Sequence, residues 1–414
     1  MSLLNPPTAI VIAFYLLGLM LYKRVKLGIT LNVTALALAL LSLEWQQIPS
    51  VIYDTTVSLL TIAVVLATFA IMFLSLLYKE TGYIEHLSTS LSKILKSPKI
   101  VLSLLPAIIG FLPVAGGALM SAPIVDTEGD KLKLTPEKKS YVNIWFRHTI
   151  FPVYPVSQLL ITTAALMGVP LSTLILRQIP VVIVMVIVGY FFSFWKVSKV
   201  QSKENAEADA SLNSNLKEFL IAFLPILTTI IVVALFSVID IGLPEQNLSV
   251  LIATLVGLAV LIGISKASLR TIAESLKNWT VYDVTIAAYG AFLLRNTMVE
   301  AGISNIFQGL ITSGTLDIAY VIVVVPIILG FLTGSPLTSI TISASILNPD
   351  IVSLPQTAAM IYMGAYLGYV ITPTHLCFTF TTDYFKSPIE KVYKYIIPSF
   401  LITFAAALAV YFRI

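Results

Sequence analysis

Apolar runs of membrane-spanning length follow one another along this chain, near 8–22, 28–44, 55–78, 140–168, 171–195, 219–239, 248–265, 279–299, 355–383 and 390–412. A helix needs about 20 apolar residues to cross a hydrocarbon core. Backbone groups in hydrocarbon must be satisfied within the segment, so runs of this length fold as helices. Of the 414 residues, 57% are hydrophobic and 11% charged, against about 25% charged in soluble domains. The fold class expected is an all-α polytopic membrane protein. The single cysteine, Cys377, excludes an internal disulfide. No basic stripe with interleaved aromatics speaks for nucleic acid. No G-x-x-x-x-G-K-[ST] motif speaks for ATP. The N-terminal "MSLLNPPTAIVIAFYLLGLML" has no basic leader region and reads as a retained first span.

Two stretches, 99–125 and 317–347, are apolar at both ends and broken in the middle. The first contains "IIGFLPVAGGALMSAP" from 108, the second "ILGFLTGSPLTSITIS" from 328. Glu80-Thr-Gly82 matches Glu300-Ala-Gly302, Pro155 matches Pro373, and Pro180 matches Pro398. Four matches in the same order at offsets of 218–220 indicate an internal duplication. The first repeat is 1–195: scaffold spans 8–78, hairpin 99–125, broken helix 140–168 and closing span 171–195. A polar linker occupies 196–218. The second repeat is 219–414: scaffold spans 219–299, hairpin 317–347, broken helix 355–383 and closing span 390–412.

Lysine and arginine set the sidedness. Lys23, Arg24, Lys26, Lys79, Lys93, Lys96, Lys99, Lys131, Lys133, Lys138, Lys139, Lys196, Lys199, Lys203, Lys266, Arg270, Lys277, Lys386, Lys391 and Lys394 all fall on one side if both hairpins are re-entrant and both termini lie outside. The opposite loops, 45–54, 167–172, 240–247, 300–316 and 348–354, contain no Lys or Arg. Each repeat then crosses five times, so the two are inverted, and the central linker is cytoplasmic.

Irregular backbone at membrane depth is tolerated only where protein or a cavity surrounds it. At a hairpin tip the second half-helix presents free N–H groups and a positive dipole end, suited to an anion. The first half-helix presents carbonyls, suited to a cation. Gly116, Gly117 and Gly334 permit close approach of backbone to ligand. Ser121, Ser335, Thr338 and Ser339 supply hydroxyls. Pro113, Ala115, Thr333 and Thr372 offer carbonyls or a hydroxyl to a coupling Na+. The later breaks, "RHTIFPVYPVSQ" (147–158) and "VITPTHLCF" (370–378), add Arg147, Ser157, Thr374 and His375 to the substrate candidates. Four broken elements related by an inverted repeat point to a midplane site in a secondary transporter.

Through these paired tips and breaks the chain resembles the ion transporter superfamily, which includes divalent-anion sodium symporters and gluconate- and citrate-type permeases. Within it the likeness is to a prokaryotic ten-span branch. The resemblance covers essentially the whole chain. It implies a scaffold from the first three spans of each half, an elevator-like transport domain of hairpins and broken helices, and a homodimer in the plasma membrane of a prokaryote. The Ser-Asn-Thr signature of the divalent-anion symporters is replaced by "PVAGG" (113–117) and "TGSPLTS" (333–339), so neither dicarboxylate specificity nor sodium coupling carries over.

The function expected is symport of a small organic anion, a carboxylate, with Na+ or H+. Few cationic side chains stand near the tips, which favours a monoanion over a citrate-like trianion. No enzymatic activity or further cofactor is expected. An alternative is a cation/proton antiporter, but 100–125, 140–168 and 320–347 contain no Asp or Glu, leaving Asp283 as its carrier. A remote alternative is an intramembrane enzyme using His375 with Cys377 or Asp383. The three histidines, His86, His148 and His375, lie far apart in sequence and show no metal-ligand spacing. Arg147 and His148 read first as residues snorkelling from a helix end, with a site role as the alternative. Arg295 reads as a scaffold-side residue, Cys377 as a packing residue, and Asn143, Gln158, Asn296 and the threonines 379, 381 and 382 as weaker candidates.

Overall fold

The computed structural model describes residues 3–413 except 96, 113–116, 198–207, 240–242 and 246; of 208–212 and 413 it describes the backbone alone. Among the described residues the protein is helical throughout, with no strand. The first half contains α1 (Pro6–Tyr22), α2 (Leu27–Ser42), α3 (Gln47–Val57), α4 (Leu59–Glu80), α5 (Tyr83–Ile94), α6 (Pro98–Gly110), α7 (Gly117–Lys131), α8 (Pro136–Arg147), α9 (Gln158–Met167) and α10 (Leu171–Phe194). The second contains α11 (Ala208–Val238), α12 (Asn247–Ser265), α13 (Leu269–Lys277), α14 (Trp279–Glu300), α15 (Ile303–Thr312), α16 (Val325–Thr333), α17 (Pro336–Ser345), α18 (Pro349–Val352), α19 (Pro355–Ile371), α20 (Leu376–Phe385) and α21 (Ile389–Arg413). A π-helical turn, Tyr320–Val324, leads into α16.

Among the described residues five helices are long and apolar enough to cross a membrane: α4, α10, Asn213–Val238 of α11, α12 and Ile389–Phe412 of α21. In α4, 67% of the most apolar window is buried, against 28% in each of the other four. Thus α4 is a core helix, whereas α10 and α21 turn apolar faces outward. Leu176, Ile183, Ile187, Leu401 and Ile402 are exposed, a pattern suited to lipid and costly in water.

Several sequence boundaries shift. The run expected as one span over 55–78 divides at Ser58, whose hydroxyl caps α4. The expected linker over 196–218 is partly helical, because α11 begins at Ala208 and extends the apolar helix with a polar first segment. The run 279–299 is one helix of 22 residues. It is less apolar than the five because it carries Asp283 and Arg295. The stretches 99–125, 317–347, 140–168 and 355–383 are each two helices. Proline opens α6, α8, α17 and α19 in the first turn, where its missing N–H costs nothing.

Packing brings the halves together. α2 runs along α14 and α12 along α4, while α10 lies against α21. α8 is bound to the closing helices by named contacts. Trp145 Nε1 donates to the Met185 carbonyl (2.9 Å), and the Tyr141 and Ser399 hydroxyls share a bond of 2.6 Å. α16 and α19 meet backbone to backbone. A Cβ at Gly330 would stand 2.3 Å from the Ala365 carbonyl oxygen, and one at Gly368 would stand 2.3 Å from that of Ile327.

Candidate functional site

The first helix break, 148–157, and the start of α20, just after the second break at 372–375, line a cavity of about 280 Å³. Arg147, His148, Ser157 and Gln158 line it from the first break, and Leu376 and Cys377 from just after the second. Phe111 and Pro336 reach it from the two hairpin tips, and Thr280 and Val284 from α14.

Arg147 is the dominant group. It ends α8 and is only 2% exposed, so it does not snorkel. Its Nη2 donates to the Leu112 carbonyl at 3.3 Å, while Nη1 has no partner among the described residues. Among the described residues no carboxylate pairs with it. A buried charge without a counter-ion is costly, and the guanidinium fork is shaped to take a carboxylate. The start of α7 is built around it. A Cβ at Gly117 would lie 2.2 Å from Arg147 Nη2 and 2.8 Å from Cζ. Glycine at 117 therefore admits the guanidinium beside the first turn of α7.

The second tip is organised differently. Gly334 closes α16 with φ of +60°, a left-handed conformation that glycine adopts without strain. A Cβ there would stand 2.6 Å from Thr374 Oγ1. The hydroxyls of this tip bond to one another. Ser335 Oγ accepts from the Thr338 N–H (3.2 Å) and hydroxyl (2.9 Å). Thr333 Oγ1 donates to the Leu329 carbonyl (2.6 Å), Ser339 Oγ to that of Pro326 (2.7 Å), and Thr372 and Thr374 share a bond of 3.0 Å. Ser121 Oγ and Asn143 Oδ1 lie 2.5 Å apart, and Asn143 Nδ2 donates to the Ala118 carbonyl and to Thr381 Oγ1. That network ties α7, α8 and α20 together.

The site candidates thus fall into groups. Arg147 and Ser157 line the cavity, Gly117 abuts the Arg147 guanidinium, and His375 stands against His148 beside it. Gly334, Ser335, Thr338, Ser339, Thr333, Thr372 and Thr374 form the second tip and its seat. Pro113, Ala115 and Gly116 lie outside the described residues. Asp283 sits apart: its Oδ1 accepts the Gly28 N–H at 3.0 Å and secures the start of α2. Arg295 lines a separate cavity of about 320 Å³ with Asp350, and Asn296 donates to Thr55 at 2.9 Å. Asp383 is exposed in the last turn of α20.

The sequence reading did not single out the tyrosines. Tyr362, Tyr366 and Tyr369 recur at helical spacing on α19. The Tyr366 hydroxyl donates to the His148 carbonyl at 2.7 Å, and Tyr369 stacks on His375 with ring centroids 3.9 Å apart. His148 and His375 meet edge to face at 4.7 Å. The breaks thereby bring together His148, His375 and Cys377, whose ligand atoms all lie within 4.8 Å of one another. His375 is not in a helix but precedes α20 as its cap. It therefore converges with Cys377, whereas the same spacing within a helix would direct the two side chains apart.

No curated protein matches the sequence. A family model described as a protein of unknown function, DUF401, matches residues 8–414, and the chain belongs to that family.

Proposed function

We propose that the protein is a secondary transporter carrying a small organic anion, a carboxylate, across a membrane in symport with Na+ or H+. The observation that carries this reading is Arg147: a buried guanidinium with a cavity beside it and, among the described residues, one unpartnered nitrogen and no carboxylate partner. A carboxylate entering that cavity supplies the missing counter-charge, and the first turn of α7 adds backbone N–H groups and a favourable dipole. Gln158 and Ser157 offer further polar contacts on the wall.

The wider architecture of the proposal is an inverted repeat of 1–195 and 219–414. It draws support from packing that recurs with the halves exchanged. α2 lies on α14 as α12 lies on α4, α6 on α8 as α16 on α19, and α9 on α17 as α20 on α7. In this reading α1–α4 and α11–α14 form the scaffold. The hairpins α6–α7 and α16–α17, with the broken pairs α8–α9 and α19–α20, travel together as the elevator, and the termini lie outside. The resemblance to the ion transporter superfamily points the same way and adds the homodimer. The antiporter alternative loses force because the Asp283 carboxylate already holds the Gly28 N–H.

The test is uptake of labelled carboxylates into proteoliposomes under an imposed Na+ or pH gradient. Arg147→Gln removes a charge-assisted contact worth about 1.5–3 kcal/mol and should weaken substrate affinity on the order of 10- to 100-fold while the protein still unfolds cooperatively. Unchanged uptake by Arg147→Gln would end the proposal.

A further inference from the structure

We propose that His148, His375 and Cys377 form a binding site for Zn2+. The three side chains come from the two helix breaks, and their ligand atoms lie within 4.8 Å of one another. In tetrahedral zinc sites, with Zn–N about 2.0–2.1 Å and Zn–S about 2.3 Å, the donors stand roughly 3.3–3.6 Å apart. A small rotation of Cys377, which is half-buried, and of His375 closes the difference.

The surroundings are those of a ligand set. His148 Nδ1 lies 2.6 Å from the Ile144 carbonyl oxygen. A carbonyl only accepts, so Nδ1 carries the proton and Nε2 keeps a free lone pair. A backbone carbonyl anchoring the second ring nitrogen is the usual support of a zinc-bound histidine. His375 is 1% exposed, and among the described residues neither of its nitrogens has a well-formed hydrogen bond, only a weaker backbone contact with Tyr369. A buried imidazole with both nitrogens unsatisfied is rare, and a metal ion accounts for one of them. Stacking on Tyr369 fixes the ring plane. Two imidazoles and a thiolate suit a borderline-soft ion with no preference imposed by d electrons. His148 and Cys377 both line the cavity, so the fourth position of the tetrahedron is left to water or a carboxylate there.

Three protein ligands with one open position describe a site that exchanges its fourth ligand rather than a closed structural site. The inference does not depend on the transport reading, because its readout is the ion itself.

The experiment uses the purified, detergent-solubilised full chain, stripped with a chelator and titrated with Co2+ as the spectroscopic stand-in for Zn2+. The expected result is one Co2+ per chain with visible bands of a tetrahedral ion and a near-ultraviolet thiolate charge-transfer band, all displaced by Zn2+. Cys377→Ser should abolish the charge-transfer band. His375→Asn, which places a preferred capping residue before α20, should weaken Co2+ binding at least about tenfold. His86→Ala, at the exposed third histidine, should change nothing. Wild-type protein without the thiolate band, or Cys377→Ser and His375→Asn variants that bind Co2+ as the wild type does, would overturn the assignment.

Discussion

Replacing Gly117 with alanine separates folding from the proposed anion binding at the first hairpin tip. The new Cβ would stand 2.2 Å from Arg147 Nη2. Ordinary contact begins near 3.4 Å, so the guanidinium must retreat by roughly 1.2 Å (3.4 minus 2.2). It is the far end of a flexible side chain, so the fold accommodates the move. The helix itself gains no more than about 1 kcal/mol from the glycine-to-alanine change. The charge-assisted contact is different, because it needs the guanidinium where it is. Losing it costs about 1.5–3 kcal/mol, or 10- to 100-fold in affinity. The assay is thermal unfolding of the detergent-solubilised protein against a panel of small carboxylates, in sodium and in potassium. A ligand at 100 times its dissociation constant stabilises the wild type by about 2.7 kcal/mol. The same concentration should stabilise Gly117→Ala by only about 0.4–1.4 kcal/mol, while the ligand-free proteins unfold at similar temperatures. Equal ligand stabilisation of both proteins would refute the placement of the anion at Arg147.

Gly334→Ala should instead destabilise the ligand-free protein by about 1–2 kcal/mol, because its left-handed backbone disfavours a Cβ; thermal unfolding reads this directly, and an unchanged midpoint contradicts it. Gly189→Ala would set a Cβ 2.5 Å from Trp145 Cδ1, and overpacking against that rigid ring should cost about 1–3 kcal/mol. Part of that cost should return in the Gly189→Ala, Trp145→Phe double variant, and a neutral single variant would show the contact to be softer than drawn. Asp283→Asn keeps an oxygen for the Gly28 N–H and should leave carboxylate uptake intact; loss of proton-coupled cation exchange in that variant would favour the antiporter instead.

Much of the frame was legible because backbone chemistry writes it into the sequence. Pro152, Pro155 and Pro373 mark the helix breaks because proline disrupts a helix interior, and Gly334 marks a helix end because few other residues adopt its left-handed conformation. What escaped depends on contacts across the chain. Hydropathy does not distinguish an arginine that snorkels from one enclosed by a hairpin tip, so the burial of Arg147 was not readable. A tyrosine series on an apolar helix looks like ordinary core, and only the neighbouring break turns Tyr366 and Tyr369 toward the histidines. The approach of His148 to His375 and Cys377 spans more than two hundred positions, and sequence spacing carries no information at that range. The division at Ser58 escaped because it falls only three residues inside the start of the run expected at 55.

The reciprocal glycine contact between α16 and α19 limits how access to the cavity is controlled. With Gly330 resting on the Ala365 carbonyl and Gly368 on that of Ile327, neither helix has side-chain padding on which the other can slide or tilt. The first arm of the second hairpin is therefore soldered to the helix behind it and is a poor flap. In the proposed transporter, admission and release then fall to the other wall, where Thr280 and Val284 of α14 line the cavity. On that proposal, opening the cavity would be a parting of two bodies along α14 rather than the swing of a lid.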